Sequence, residues 1–194
     1  MVENILIVAS VAFIIAGITP YIIDVIKGKT KPRIVSWFIW CVLTIMAFIA
    51  ALVEQRYPTA ILLSFSVVST VLVVVLGWKN GDKKVGKLDI ACLISAGVGI
   101  ILWQVFNSPE LAVVATIAIN LVGGIPTLIH SWEKPGEETW AAYLFTFFGA
   151  SCTLLTISNW QITAFAFPLY LALNNLTFAL VIILRQRLIV KRLQ

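Results

Sequence analysis

Seven apolar runs, each about as long as a bilayer is thick, constrain this chain more than any other feature. They cover residues 4–26, 34–53, 58–78, 89–106, 110–131, 139–157 and 161–184. A helix that crosses a membrane needs about 20 mostly apolar residues. A membrane barrel strand is about 10 residues long and alternates in polarity; these runs are longer and do not alternate. The breaks at 27–33, 54–58, 79–87, 107–109, 133–138 and 158–159 are polar or turn-forming. Composition agrees. Of 194 residues, 60% are hydrophobic and 12% charged, against roughly 25% charged in a soluble domain, so a globule of this size could not cover itself with polar surface. The expected fold is an all-α membrane protein with seven transmembrane helices. The N-terminal Met1-Val2-Glu3-Asn4 lacks the basic stretch of a signal peptide, so the first run is read as a retained helix.

The net charge of +5 does not point to nucleic acid, because the basic residues sit at the ends of the apolar runs. Seven crossings put Lys27, Lys29, Lys31, Arg33, Lys79, Lys83, Lys84, Lys87, Lys134, Arg185, Arg187, Lys191 and Arg192 on one side and only Arg56 on the other. Cytoplasmic loops carry the excess of Lys and Arg. The N-terminus is therefore expected outside and the C-terminus in the cytoplasm, in the plasma (inner) membrane.

The two halves repeat. Gly17-Ile18-Thr19-Pro20 corresponds to Gly123-Gly124-Ile125-Pro126. Lys31-Pro32 followed by Ser36-Trp37 and Trp40 corresponds to Lys134-Pro135 followed by Thr139-Trp140 and Tyr143. The layout is a three-helix repeat over 1–87, a linker helix over 88–108, and a second three-helix repeat over 109–194. An odd unit joined directly would invert; the linker restores direction and makes the repeats parallel, one of the known transporter architectures.

This 3+1+3 layout, with its outside N-terminus and inside C-terminus, resembles the SWEET and PQ-loop transporter clan. Pro20-Tyr21-Ile22-Ile23-Asp24-Val25-Ile26-Lys27-Gly28-Lys29-Thr30, with Ser36 entering helix 2, is similar to the clan's motif. Tyr21 and Thr127 stand where the glutamine that names the PQ loop would be. Trp37-Phe38-Ile39-Trp40 is similar to the WxxW of the PnuC vitamin transporters. The resemblance implies alternating access, and a solute held by residues at the places of two SWEET asparagines. Here those places are Asn174 on helix 7 and Thr70, its counterpart on helix 3.

Other residues suggest roles on their own chemistry. Pro20 and Pro126 interrupt helices, since proline lacks an N–H and clashes with the preceding turn; as a related pair they read as hinges or as static kinks. Asn174, Asn175 and Asn120 lie deep in apolar runs, where polar groups are costly. They line a solute site or join helices by hydrogen bonds. Trp37, Trp40, Trp140 and Tyr143 form a stacking wall for a solute or an interfacial aromatic belt. Asp24 and His130 correspond, four residues after the two prolines; they couple protons or sit in interfacial water.

The expected function is transport of a small neutral polar solute, sugar-like or vitamin-like, by alternating access. A receptor or accessory subunit on the same fold is the alternative. No cofactor, metal or catalysis is expected: Cys41, Cys92 and Cys152 are scattered, and one histidine and nine acids leave no catalytic set. The expected partners are the solute and the lipid bilayer, with a homo-oligomer left open and nucleic acid not expected.

Overall fold

The computed structural model describes residues 2–193 apart from Glu54, Arg56, Phe106, Asn107 and Asn159. Arg56, the basic residue expected on the far side, thus lies outside the described residues. The described residues form seven α-helices: α1 Val2–Ile26, α2 Ile34–Val53, α3 Tyr57–Asn80, α4 Lys87–Val105, α5 Pro109–Glu133, α6 Trp140–Leu155 and α7 Ile162–Leu193. A 3₁₀ turn at Pro135–Glu137 precedes α6. Segments of α1, α3, α5 and α7 are long and apolar enough to cross a membrane, and α2 and α6 contribute the shorter apolar segments Ile34–Ala50 and Trp140–Leu155.

Local chemistry sets the helix ends. Gly28 (φ 70°) follows α1 in the left-handed region. There the Lys29 N–H reaches the Asp24 carbonyl and the Gly28 N–H the Val25 carbonyl, the bond pattern of a glycine-terminated helix. Ser108 caps α5 by accepting the Leu111 N–H, with proline in the first turn. α7 continues well beyond the expected end at 184. At about 1.5 Å per residue its 32 residues extend beyond the roughly 30 Å hydrocarbon core and carry Arg185, Arg187 and Lys191 with them.

Six helices close a ring. α1 packs on α6, α6 on α7, α7 on α5, α5 on α2, α2 on α3, and α3 on α1. α4 lies outside, mainly against α5 with a smaller contact to α2. In each run of three, the third helix therefore sits between the first two. Because lipid is as apolar as leucine, close packing and hydrogen bonds between helices hold such a ring together.

The ring tapers toward the end that carries the basic loops, here called the basic end. Among the described side chains, α2 has no buried residue after Cys41, α3 none before Val73, α5 none before Ile119 and α7 none before Ala172. At the basic end, Tyr21, Val25, Trp37, Val73, Tyr143, Phe178, Ala179 and Ile182 form one core.

Two unlike seams join the first three helices to the last three. Along α1–α6, the Ser10 hydroxyl donates to the Gly149 carbonyl (2.9 Å) and shares a bond with Thr153 (3.0 Å). Farther down, a Cβ at Gly17 would stand 2.9 Å from the Ala142 carbonyl oxygen, so only glycine fits. At the basic end Thr139 donates to Asp24 (3.0 Å) and bonds Thr30. Along α2–α5, Ile39 fills the space over Gly123, and α4 covers this seam from outside through Ala96, packed with Val35, Ile39 and Ile119.

Candidate functional site

At its narrow end the ring is closed by a circle of five aromatic side chains. Centroid separations are 5.0 Å for Tyr21–Trp37, 5.3 Å for Trp37–Trp40, 6.4 Å for Trp40–Phe178, 5.0 Å for Phe178–Tyr143 and 6.4 Å for Tyr143–Tyr21. These distances lie in the favourable range for aromatic pairs. Trp37 and Trp40 share one helix face by their three-residue spacing. Of the expected wall, Trp37, Trp40 and Tyr143 meet here. Trp140 is 40% exposed and makes no ring contact with them among the described residues.

One turn farther from the basic end lies a polar layer. Thr44 stands one turn from Trp40, Thr70 one turn from Val74, and Asn174 one turn from Phe178. The Thr44 and Thr70 hydroxyls share a bond of 3.1 Å. On the neighbouring pair α5 and α7, the Tyr170 hydroxyl donates to Asn120 Oδ1 (3.0 Å), and the Trp40 indole N–H of α2 donates to the Asn120 carbonyl (3.4 Å). Asn174 is half-buried, and its amide has no hydrogen-bond partner among the described residues. Asn175 is buried and donates to the Leu171 carbonyl of its own helix (2.8 Å). Thr70, Asn120 and Asn174 thus share a level over the aromatic circle, whereas Asn175 is engaged with its own helix. None of the side chains named in this layer is charged.

Below the circle is Glu138, 4% exposed. The Tyr143 and Tyr21 hydroxyls both donate to its Oε2, at 3.1 and 3.4 Å, and the Trp37 indole N–H donates to the Tyr21 hydroxyl at 3.0 Å. Glu138 Oε1 is buried with no hydrogen-bond partner among the described residues. Burial pushes the carboxyl up to about 8, against the lowering by the two tyrosine hydrogen bonds; the neighbouring Glu137 raises it further.

At the basic surface an ionic cluster ties the loops together. Arg33 pairs with Asp82 (3.1 Å) and Asp89 (2.6 Å). His130 lies 3.4 Å from Asp82 and 3.5 Å from Glu137, and Lys31 pairs with Glu137 at 2.5 Å. Burial raises the Asp82 carboxyl, but the Lys84 backbone N–H, Arg33, His130 and Lys134 hold it below its ordinary value. Glu137 is likewise raised by burial and lowered overall by Lys31, Lys134 and His130. A cleft of about 360 Å³ opens here, lined by Arg33, Asp82, Pro126, His130 and Lys134 among others. His130 therefore sits in the ionic cluster and Asp24 in the α1–α6 seam, so the two corresponding residues have unlike surroundings. Pro20 and Pro126 lie within unbroken helices. No group of three or more metal-binding side chains occurs among the described residues.

Sequence reasoning did not single out Tyr21, Phe178, Tyr170, Thr44 or Glu138. The Lys31-Pro32 and Lys134-Pro135 match sets Glu138 at the place of the apolar Val35, but only the structure shows that both positions are buried.

The chain matches no known protein family, no curated protein and no solved structure.

Proposed function

We propose that the chain is an alternating-access transporter of a small neutral polar solute, sugar-like or vitamin-like, resembling the SWEET and PQ-loop clan. It is built as two parallel three-helix repeats, 1–87 and 109–194, joined by the linker helix 88–108. The observation that carries the reading is the tapered ring, closed at one end by aromatics and carrying an uncharged polar layer above that closure. The contacts support the repeat. Exchanging α1, α2 and α3 for α5, α6 and α7 converts the α1–α6 seam into α5–α2, and converts each 1-3-2 order into the other. The unpartnered Asn174 amide, with two donors and one acceptor, suits hydroxyl or amide groups on a solute. An ionic solute would call for a counter-charge in that layer. The basic end is assigned to the cytoplasm on the positive-inside rule.

The test is uptake into proteoliposomes of radiolabelled mono- and disaccharides and of neutral heteroaromatic vitamins. Saturable uptake of one of these that empty liposomes lack is the expected result. Binding without uptake favours a receptor.

A further inference from the structure

Two carboxyl side chains are deeply buried among the described residues, Asp89 and Glu138. Asp89 has the Arg33 guanidinium at 2.6 Å. Glu138 has no cation within ion-pair distance among the described residues, only the Tyr21 and Tyr143 hydroxyls on one oxygen and nothing on the other. The groups around it are few. α1 presents Tyr21, and Asp24 one residue along, through Thr139. α6 presents Tyr143, and Glu137 precedes Glu138 with Lys31, Lys134 and His130 around it. α2 contributes Trp37 by way of Tyr21, and α7 contributes the uncharged Phe178 and Ile182 of the same core.

We propose that the buried Glu138 carboxyl is a proton-binding site that holds the aromatic closure shut, through the two tyrosine hydroxyls it accepts from, and releases it when the proton leaves. This rests on the alternating-access reading above. With a proton on Oε1 the carboxyl is neutral and tolerates burial. Without it, a charge sits in an apolar core with no cation, a state that is costly. Opening the circle lets water reach the carboxyl, and the proton passes from Oε1 to water at the basic end. The direction of the perturbation agrees: burial pushes Glu138 up to about 8 in the closed ring, whereas a hydrated glutamate titrates at about 4.3. One proton linked to opening raises the open-to-closed ratio about tenfold per pH unit between those values and leaves it level above them.

The experiment uses the full chain in proteoliposomes, with Cys41, Cys92 and Cys152 replaced by alanine and Val73→Cys added as a reporter. Val73 is fully buried in the closed core. A membrane-impermeant maleimide is applied from the basic end between pH 5 and pH 9, with and without Glu138→Gln. The same thiol in both backgrounds cancels its own ionisation. The expected labelling ratio, native Glu138 over the Glu138→Gln variant, rises about tenfold per pH unit to pH 8 and then levels off. Identical profiles overturn the proposal. Infrared spectroscopy supplies a second reading: a carboxylic-acid band lost on raising the pH through about 8 and missing in Glu138→Gln. Absence of that titration also overturns it. If Glu138→Gln does not fold, Tyr143→Phe removes one donor to the carboxylate and should move the labelling midpoint to higher pH; an unmoved midpoint overturns it. Neither measurement reads uptake. Success here with no solute crossing sinks the transport reading alone, and uptake with coincident profiles sinks the proton site alone.

Discussion

The Ser36 hydroxyl oxygen accepts the Thr127 backbone N–H at 3.2 Å, joining α2 to α5 across 91 residues of sequence. Thr127 directly follows Pro126, where the helix lacks an N–H. A serine in the first turn of α2 thus meets the backbone beside the proline inside α5. Ser36→Ala leaves this buried N–H without the hydroxyl and should cost about 1–2 kcal/mol. Thermal unfolding in detergent measures it; an unchanged midpoint shows that the bond contributes nothing.

The two seams respond differently to an added methyl. At Gly17 the obstacle is the Ala142 carbonyl oxygen, 2.9 Å from the new atom, and at Gly123 it is the Ile39 side chain at 2.8 Å. The branched Ile39 can give by a few tenths of an ångström at some cost, whereas the Ala142 carbonyl moves only with its helix. Gly17→Ala should therefore destabilise by about 1–3 kcal/mol, and Gly123→Ala by less. The reverse order in unfolding experiments contradicts this account of the seams.

Pro20→Ala and Pro126→Ala restore a backbone N–H within helices that already run unbroken. If the prolines are hinges, both variants exchange more slowly between forms open to either side, at near-normal thermal stability. Site-directed labelling from the two membrane faces gives those rates. Equal rates in wild type and both variants would reduce the prolines to static kinks.

Asn174→Leu removes the amide that stands one turn above Phe178. A hydrogen bond within a membrane protein is worth about 1 kcal/mol, so the bundle should survive. A solute-facing amide lost from a dry site costs roughly 1–3 kcal/mol, about 5- to 150-fold in affinity. Equilibrium binding of whichever solute the uptake assay identifies checks the loss. Full affinity with a lowered melting temperature assigns Asn174 to helix packing instead.

Stability should fall as the pH rises above about 4.5, because the unfolded Glu138 has then released its proton while the folded one keeps it up to about 8. The slope is on the order of 1 kcal/mol per pH unit, and the loss is complete above the folded value. Asp82 and Glu137 act oppositely: their lowered values stabilise above the ordinary carboxyl range, and that contribution goes as the pH falls through them. Unfolding in detergent across pH should show Glu138→Gln flattening the alkaline limb and leaving the acid limb in place.

Helix positions were legible because an 18- to 24-residue apolar run has few alternatives, and α2 and α5 fall within a residue or two of their expected bounds. The extension of α7 past 184 was not, because its basic residues read as tail as readily as helix. The three-residue spacing puts Trp37 and Trp40 on one helix face, and their rings lie 5.3 Å apart. It could not distinguish Trp140 from Tyr143, since both belong to the same repeated pattern and only packing decides which one enters the ring. Glu138 was hidden by its neighbours: in a run of Glu133, Lys134, Glu137 and Glu138 an acid reads as loop, and burial is a tertiary property that charge alone does not report.

The two seams cannot yield equally to the same load. α1 and α6 are stitched from the Asp24–Thr139 bond to Ser10 and Thr153, through a contact that excludes even a methyl group. α2 and α5 are joined near the narrow end, by Ile39 over Gly123 and by the Ser36–Thr127 and Trp40–Asn120 bonds, and are strapped there by α4. A force spread around the ring therefore parts the wide ends of α2 and α5 before it parts α1 from α6. Loaded in that way the ring would open as a clamshell, with its axle on the α1–α6 side, its mouth opposite, and α4 limiting how far the mouth can gape.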